Sequence, residues 1–416
     1  MLVFQFYRFI LAPMAQWLLL RFGFLGGTKI QQFILDRKSP NLSHLPHQAV
    51  WIHASSGEIE YAKSLIRLIS KNHKVVVSYF SPSAKKLLES ISCDGVFALP
   101  LDTKDNVQDL LEKLKPKTLI LSRSDLWPEL IWQCRKRKIP TALIAASFAS
   151  KSAKKARSQL WLKFFSLKSF VLNNLSQIHC VHENDLEFLR TLKVSTNSFV
   201  VGDPRLDQID YRLENPKRVK SFLSPNRRTF ILGSTWPQDE AVVFNLKFFK
   251  EIQWSVIIAP HDTSKSRVEE VVKNIRAQGM EPLLYSQAEM KDAQWSLQNK
   301  VLIIDSVGVL QEIYGWGTLA FVGGSFKNRV HNVMEPLMSG LFVLVGPKNQ
   351  NSFEVQRFRK VLLEKTPLVR EVLNFNDVEK AVRAVPLDLS KDLLRSQLEP
   401  YKKASDKILS HLTSLL

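Results

Sequence analysis

The chain has 416 residues, 45% hydrophobic and 23% charged, a composition that excludes a disordered or fibrous protein and a length that favours two domains of roughly 150–200 residues. Lys and Arg number 58 against 39 Asp and Glu, a formal charge of +19. Residues 1–207 hold 29 basic and 16 acidic side chains (+13), leaving 29 and 23 (+6) for the rest, so the first half should favour a polyanion or an anionic membrane surface.

The N-terminal stretch MLVFQFYRFILAPMAQWLLLRFGFLGG is the one segment that points to a membrane. A helix confined between Arg8 and Arg21 is about 18 Å long, too short for a span of about 20 apolar residues. Arg8 and Gln16 also interrupt the apolar core that a signal peptide needs. The reading is an interfacial helix, its apolar face in lipid, Arg8 and Arg21 reaching to phosphates, Tyr7 and Trp17 at the boundary. An ordinary core helix is the alternative. Cys93, Cys134 and Cys180 are widely spaced and show no metal pattern, as packing residues in a reducing compartment would.

From residue 48, short apolar runs alternate with amphipathic stretches of helix length. AVWIHA, KVVVSYF, GVFALP, TLILS, TALIAAS, QIHCVH and SFVVGDP read as strands. SAKKLLESI, NVQDLLEKL and ELIWQCRKRK read as intervening helices. Near-continuous apolar strands in such an alternation imply a parallel sheet covered on both faces. KSAKKARSQLWLKFFSLKSFVL mixes six Lys and Arg with Trp161, Phe164 and Phe165; a solvated helix and a membrane-docking one both fit, and no nucleic-acid-binding module is recognisable. After the polar stretch Asp207 to Arg228 the alternation restarts with TFILGS, SVIIAPH, EPLLYS, KVLIID, TLAFVGGS and LFVLVGP. The expected organisation is an N-terminal helix (1–30) and two α/β domains (31–207 and 208–416), with ligands at the carboxyl ends of the strands, in the cleft between lobes. The last helix is free to pack back on the first lobe.

Chemistry is therefore sought where strands end. In the first half, HASSGE places Glu58 after a small-residue turn of Ser55, Ser56 and Gly57, where a structural N-terminal helical acid is the plain alternative. LSRSDLWPEL puts Asp125 and Trp127 after a strand and Pro128 at a helix start, and Asp125 also fits a simple N-cap. GDPRLD sets Arg205 near the junction, a cation for a phosphate or carboxylate or a surface arginine. In the second half the candidates are Ser234 and Thr235, Pro260 and His261, and Gly323, Gly324 and Ser325. Glycine turns let backbone N–H groups approach a phosphate. In HNVMEP, His331 and Glu335 stand at i and i+4, which would place them on one helix face with Asn332 beside them. A carboxylate there can accept from a ribose diol.

HASSGE (53–58), SDLWP (124–128), GDPRLD (202–207), GST (233–235), APH (259–261), DSVGVLQEIY (305–314) and FVGGSFKNRVHNVMEP (321–336) together resemble the bacterial 3-deoxy-D-manno-octulosonic acid (Kdo) transferases, which pass Kdo from CMP-Kdo to the lipid A precursor. The resemblance implies a GT-B glycosyltransferase fold, two Rossmann-like lobes with an interlobe cleft plus an N-terminal membrane-associated helix. It implies an acceptor lobe first, a nucleotide lobe second, and attachment to the cytoplasmic side of the inner membrane. It implies an inverting mechanism with no metal and no cofactor, Glu58 as general base and Asp125 in support. Ser55, Ser56, Gly57 and Trp127 then line the acceptor site. Arg205, Ser234, Thr235, Pro260, His261, Gly323, Gly324, Ser325, His331, Asn332 and Glu335 hold the donor. A transferase with another donor or acceptor, and a silent nucleotide-binding scaffold, are the competing readings.

The sequence departs from the family pattern at several positions. Arg123-Ser124-Asp125 stands where many members have Glu-Thr-Glu, and the arginine common after the next strand is replaced around Ser147. Asp203-Pro204-Arg205 replaces Asn-Leu-Lys, Arg329 replaces a glycine, and Val309 follows Gly308 where an acid is common. These changes bear on acceptor and sugar recognition more than on the fold.

Overall fold

The computed structural model describes residues 1–23, 27–38, 42–89, 91–148, 167–215, 228–289, 300–350, 352–386 and 390–416. The basic, aromatic stretch around Trp161, Phe164 and Phe165 lies outside the described residues. The chain divides into two compact units, Met1–Gln208 with Tyr401–Leu416, and Ile209–Pro400.

In the first unit seven parallel strands are built from the apolar runs: β1 Val50–His53, β2 Val75–Tyr79, β3 Gly95–Ala98, β4 Thr118–Ser122, β5 Thr141–Ala146, β6 Gln177–Cys180 and β7 Asn197–Val200. Their order is β3-β2-β1-β4-β5-β6-β7. Residues on a strand alternate between faces. Trp51, Leu119, Leu121 and Leu143 therefore enter one buried cluster, while Val50, Ile52, Ile120 and Ile144 enter the opposite one. The C-terminal helix Ala404–Leu412 adds Ile408 and Leu412 to that second cluster. Asp207 fixes its start by accepting from the Lys403 and Ser405 amides at 2.7 and 2.6 Å.

The second unit repeats the plan with β8 Thr229–Thr235, β9 Ser255–Pro260, β10 Glu281–Leu284, β11 Lys300–Ile303, β12 Leu319–Val322 and β13 Phe342–Val345. A short hairpin, β14 Leu362–Leu363 and β15 Thr366–Pro367, precedes an edge strand, β16 Val369–Glu371. The sheet order is β10-β11-β9-β8-β12-β13-β16. In both sheets the strand order reverses beside the first strand, between β1 and β4 and between β8 and β12. In doubly wound sheets the crevice at that reversal is where ligands bind.

The N-terminal segment differs from its expectation. One continuous helix runs from Leu2 to Phe22 and is long and apolar enough to cross a membrane by length and composition. It is not confined between Arg8 and Arg21. It widens to a π-turn over Tyr7–Leu11, just before Pro13, whose ring lacks an N–H and would clash with a carbonyl in a regular α-helical register. Tyr7, Arg8 and Gln16 face the protein, whereas Arg21 is exposed. Arg8 pairs with the fully buried Glu129 at 3.0 Å, so it does not reach outward to phosphates as expected. Tyr7 donates to Asp102 at 2.8 Å, which takes it from the boundary role too. Gln16 accepts from Thr103 and Asn106, both at 3.0 Å, and Phe4 is buried against Phe170 and Trp132. Leu2, Phe6, Phe9, Met14, Trp17 and Phe22 are left exposed. Amphipathic helices on soluble domains bury the apolar stripe; this one buries the polar seam.

Candidate active site

At the switch point of the first sheet, β1 runs into Ala54-Ser55-Ser56 and a 3₁₀ turn, Gly57–Tyr61. β4 runs into Arg123-Ser124-Asp125. Two carboxylates meet there on adjacent residues of one loop. Asp125 accepts from the Ser55 amide at 2.6 Å. Glu58 accepts from the Ser56 amide at 3.1 Å and its hydroxyl at 2.9 Å. Ser122 donates to the Glu58 carbonyl at 2.8 Å and ties the loop to β4. Burial pushes the Asp125 carboxyl up to about 6; the Ser55 amide and hydroxyl oppose the rise, and the neighbouring Glu58 charge adds to it. Gly57 is exposed, and a Cβ added to it meets no atom within 4 Å, so the space above it is open.

Trp127 is held from behind. His53, fully buried, accepts from the Trp127 indole N–H on Nε2 at 2.9 Å. That bond leaves the proton of the neutral ring on Nδ1, 2.8 Å from Ser78 Oγ. Ser78 in turn accepts from Trp51 at 2.7 Å. Burial lowers the His53 pKa to about 3, which keeps the ring neutral and able to accept.

Arg205 lies in the first unit, at the start of helix Arg205–Glu214. Its guanidinium pairs with Asp203 at 2.5 Å and stacks on Tyr61, 4.5 Å from the ring centre. Arg123 stacks on the same ring at 4.6 Å, from a backbone with φ of 62°. A left-handed conformation is uncommon for a non-glycine residue and clusters at functional sites. The two cations hold the Asp203 carboxyl below its ordinary range despite burial.

At the switch point of the second sheet, the penultimate residue of β8 is Ser234, also left-handed (φ 52°), packed so closely on Gly323 that a Cβ there would strike the Ser234 backbone. Beside it three rings stack. Trp236 lies 4.6 Å from His261, and His261 lies 4.5 Å from His331, nearly parallel. The Trp236 indole donates to His331 at 3.2 Å, and Lys327 caps Trp236 at 3.1 Å. Pro260 ends β9 and hands the chain to His261, which is exposed and donates its amide to the Thr235 carbonyl at 2.9 Å.

Three expectations for this unit change. His331 and Asn332 precede the helix, which spans Met334–Met338, so His331 and Glu335 do not share a helix face. Asn332 instead stands just before the N-cap Val333 and braces the helix start, accepting from the Met334 amide at 3.0 Å and donating to Glu335 at 3.2 Å. The glycine-loop amides do not point outward. Fully buried Asp239 accepts from Gly324 at 2.7 Å, Phe326 at 3.1 Å and Trp236 at 2.9 Å. Ser325 is buried and accepts from Gly346 at 2.6 Å. Thr235 also turns inward, donating to Glu240 at 2.8 Å beside the buried Glu240–Arg267 pair. Ser234, His261 and His331 thus remain the outward-facing part of the expected donor set, with Lys327 added. Sequence reasoning missed His53, Asp239, Trp236 and Lys327. The signal for Asp239 was present: an acid three residues into a Pro-started helix is the N3 position of a capping box.

Two doubly wound sheets, each with its loops gathered at a strand reversal, define a GT-B glycosyltransferase architecture. A solved UDP-GlcNAc 2-epimerase from Neisseria meningitidis has a like fold, at 13% identity with a TM-score of 0.56 over 88% of this chain and 99% of the other. Residues 21–208 match the family described as 3-deoxy-D-manno-octulosonic-acid transferase. A 3-deoxy-D-manno-octulosonic acid transferase of Rickettsia felis is 27% identical over 77% of this chain and 70% of its own. One of Aquifex aeolicus is 26% identical over 83% and 94%. The chain has the fold of a GT-B glycosyltransferase and is similar to the bacterial Kdo transferases, as its motifs indicated.

Proposed function

We propose that the protein transfers Kdo from CMP-Kdo to a lipid A precursor, in lipopolysaccharide core assembly, by an inverting and metal-independent route. The observation that carries this reading is the pair of carboxylates at the first switch point, each seated on an amide of the Ser55-Ser56 turn. Glu58 takes the proton of the acceptor hydroxyl as that oxygen attacks the anomeric carbon of Kdo. The bond from that carbon to the CMP phosphate breaks on the opposite face and CMP leaves with the electron pair. General-base assistance of this kind is worth about 10²–10⁴ in rate. Asp125 fixes the turn that carries Glu58, and Trp127 offers an apolar wall to the acceptor sugar. Gly57 leaves the space for it.

In the second unit, Ser234, His261, His331 and Lys327 form the outward face to which the nucleotide binds, on a loop shaped from within by Asp239, Gly323, Gly324 and Ser325. Donors and a cation aimed at the departing phosphate stabilise its charge without a divalent ion. Thr235, Pro260, Asn332 and Glu335 maintain this arrangement by the contacts described above. Arg205 and Arg123 supply positive charge on the acceptor unit. The exposed face of the N-terminal helix lies in the anionic cytoplasmic leaflet of the inner membrane, where its acceptor resides.

The test is turnover. Purified protein, CMP-Kdo and a tetraacylated lipid A precursor in anionic vesicles should yield a lipid heavier by one or more Kdo residues. An unchanged lipid, with CMP-Kdo bound, would refute the activity. Equal thermal protection by UDP or GDP would favour a different donor.

A further inference from the structure

The residues that seat the N-terminal helix also fix the start of helix Pro128–Lys136, which begins directly after Trp127. Asp102 stands at the centre, nearly fully buried. Its Oδ2 accepts from the Tyr7 hydroxyl at 2.8 Å and from the Glu129 amide at 2.9 Å. Its Oδ1 accepts from the Leu130 amide at 2.9 Å. Pro128 has no N–H, and the next two orphan amides of the helix start, those of Glu129 and Leu130, share their acceptor carboxylate with a tyrosine of the N-terminal helix. Glu129 is the second link. Its Oε1 meets Arg8 at 3.0 Å and Gln133 at 2.7 Å, and the carboxylate is fully buried. Removing the partner of a buried charge is far more disruptive than removing a surface pair. Phe4 adds an apolar contact to Trp132 on the same helix.

A membrane tether alone needs none of this. An anchor works with any apolar helix on a linker, and polar groups in its sequence only weaken it. Here Tyr7, Arg8 and Gln16 interrupt the apolar pattern, and all three are engaged by the acceptor unit. The segment they hold carries Asp125, Leu126 and Trp127 on its N-terminal side. Trp127 is gripped from the other side by His53 and by Phe80, 4.5 Å away.

We propose that the N-terminal helix is a positioning element of the acceptor site: Tyr7 and Arg8, acting through Asp102 and Glu129, hold the start of helix Pro128–Lys136 so that Asp125 and Trp127 keep their working geometry. This rests on the proposed transferase function. It adds that the helix contributes to turnover apart from bringing the enzyme to lipid.

The experiment compares the full-length protein with the Tyr7→Phe/Arg8→Met double variant, which keeps the helix apolar. Transfer is measured with the lipid acceptor in anionic vesicles and with its deacylated, water-soluble form. The proposal expects at least a tenfold loss of kcat/KM on both acceptors, with vesicle binding and CMP affinity unchanged. It also expects faster hydrogen exchange at the Glu129 and Leu130 amides, and recovery of most activity in Arg8→Lys. Parental turnover of the soluble acceptor by the double variant would overturn it, leaving the helix a simple anchor. If the parent transfers to neither acceptor, the functional reading fails, and exchange at Glu129 and Leu130 still decides the structural claim: unchanged exchange in the variant overturns it. Should the double variant not fold, Tyr7→Phe alone, which removes one hydroxyl, carries the same test.

Discussion

Replacing Asp239 probes the donor loop without touching any group that faces outward. The carboxylate is fully buried and accepts three backbone N–H groups, from Trp236, Gly324 and Phe326, at 2.7–3.1 Å. Asp239→Ala strands all three donors. A buried donor left without an acceptor costs about 1–3 kcal/mol, and water can reach the two less buried amides, so the sum is about 3–6 kcal/mol. In a unit of this size each kcal/mol lowers Tm by about 2–4 °C, giving a fall of at least about 6 °C. Asp239→Asn keeps one acceptor oxygen and turns an NH₂ toward Phe326 or Gly324, a loss of about 1–3 kcal/mol. The readouts are thermal unfolding, amide exchange at Gly324 and Phe326, and CMP affinity. Both variants should exchange faster at those two amides and bind CMP more weakly, with alanine the worse. A Tm within 2 °C of the parent in Asp239→Ala, together with unchanged CMP affinity, would refute the idea that this carboxylate shapes the loop.

Three further outcomes follow from the geometry. Gly324→Ala forces a side chain into a backbone at φ 94° and against the Arg329 carbonyl, so CMP binding measured by calorimetry should fall at least tenfold while the first unit keeps its melting behaviour. Asp125, raised to about 6, is to be ionised for the Ser55 turn to hold its working form; kcat/KM should therefore decline as pH falls through about 6, and Asp125→Asn should lose that inflection. The same raised pKa makes the folded protein bind the proton more tightly than the unfolded chain. Its contribution to stability is therefore full below about pH 4 and lost as pH rises through about 6, opposite in sense to the rate. Leu412→Ala removes a fully buried side chain from the second face of the first sheet, a cost of about 2–5 kcal/mol that chemical denaturation should report.

The sequence carried the sheets almost completely because buried parallel strands read as unbroken apolar runs, and Val75–Tyr79 or Ser255–Pro260 admit no other reading at that length. The edge strand Val369–Glu371 was not legible: three residues with two charges lack any apolar signature. Glu58 and Asp125 were visible from their positions at strand ends, and the fold brings them to one loop. The i, i+4 spacing of His331 and Glu335 misled because spacing alone does not say where a helix begins, and here it begins at Met334. Arg8 misled for a related reason. An arginine in an apolar helix reads as a lipid-facing group unless a buried partner is known, and Glu129 lies 121 residues away in the chain. Asp239 was legible as the N3 acid of a helix start, but its hold on the distant Gly324 and Phe326 amides was not, because amides carry no side-chain signature.

The most direct test of the central claim is a single turnover of wild type and Glu58→Gln side by side, each saturated with CMP-Kdo and lipid acceptor. The mass of the lipid and the release of CMP are followed together. Wild type is expected to convert lipid to a Kdo-bearing product with one CMP released per sugar transferred. Glu58→Gln should bind CMP-Kdo equally and lose at least about 100-fold in rate. A Glu58→Gln variant that forms product at the wild-type rate would contradict the assignment of Glu58 as the base.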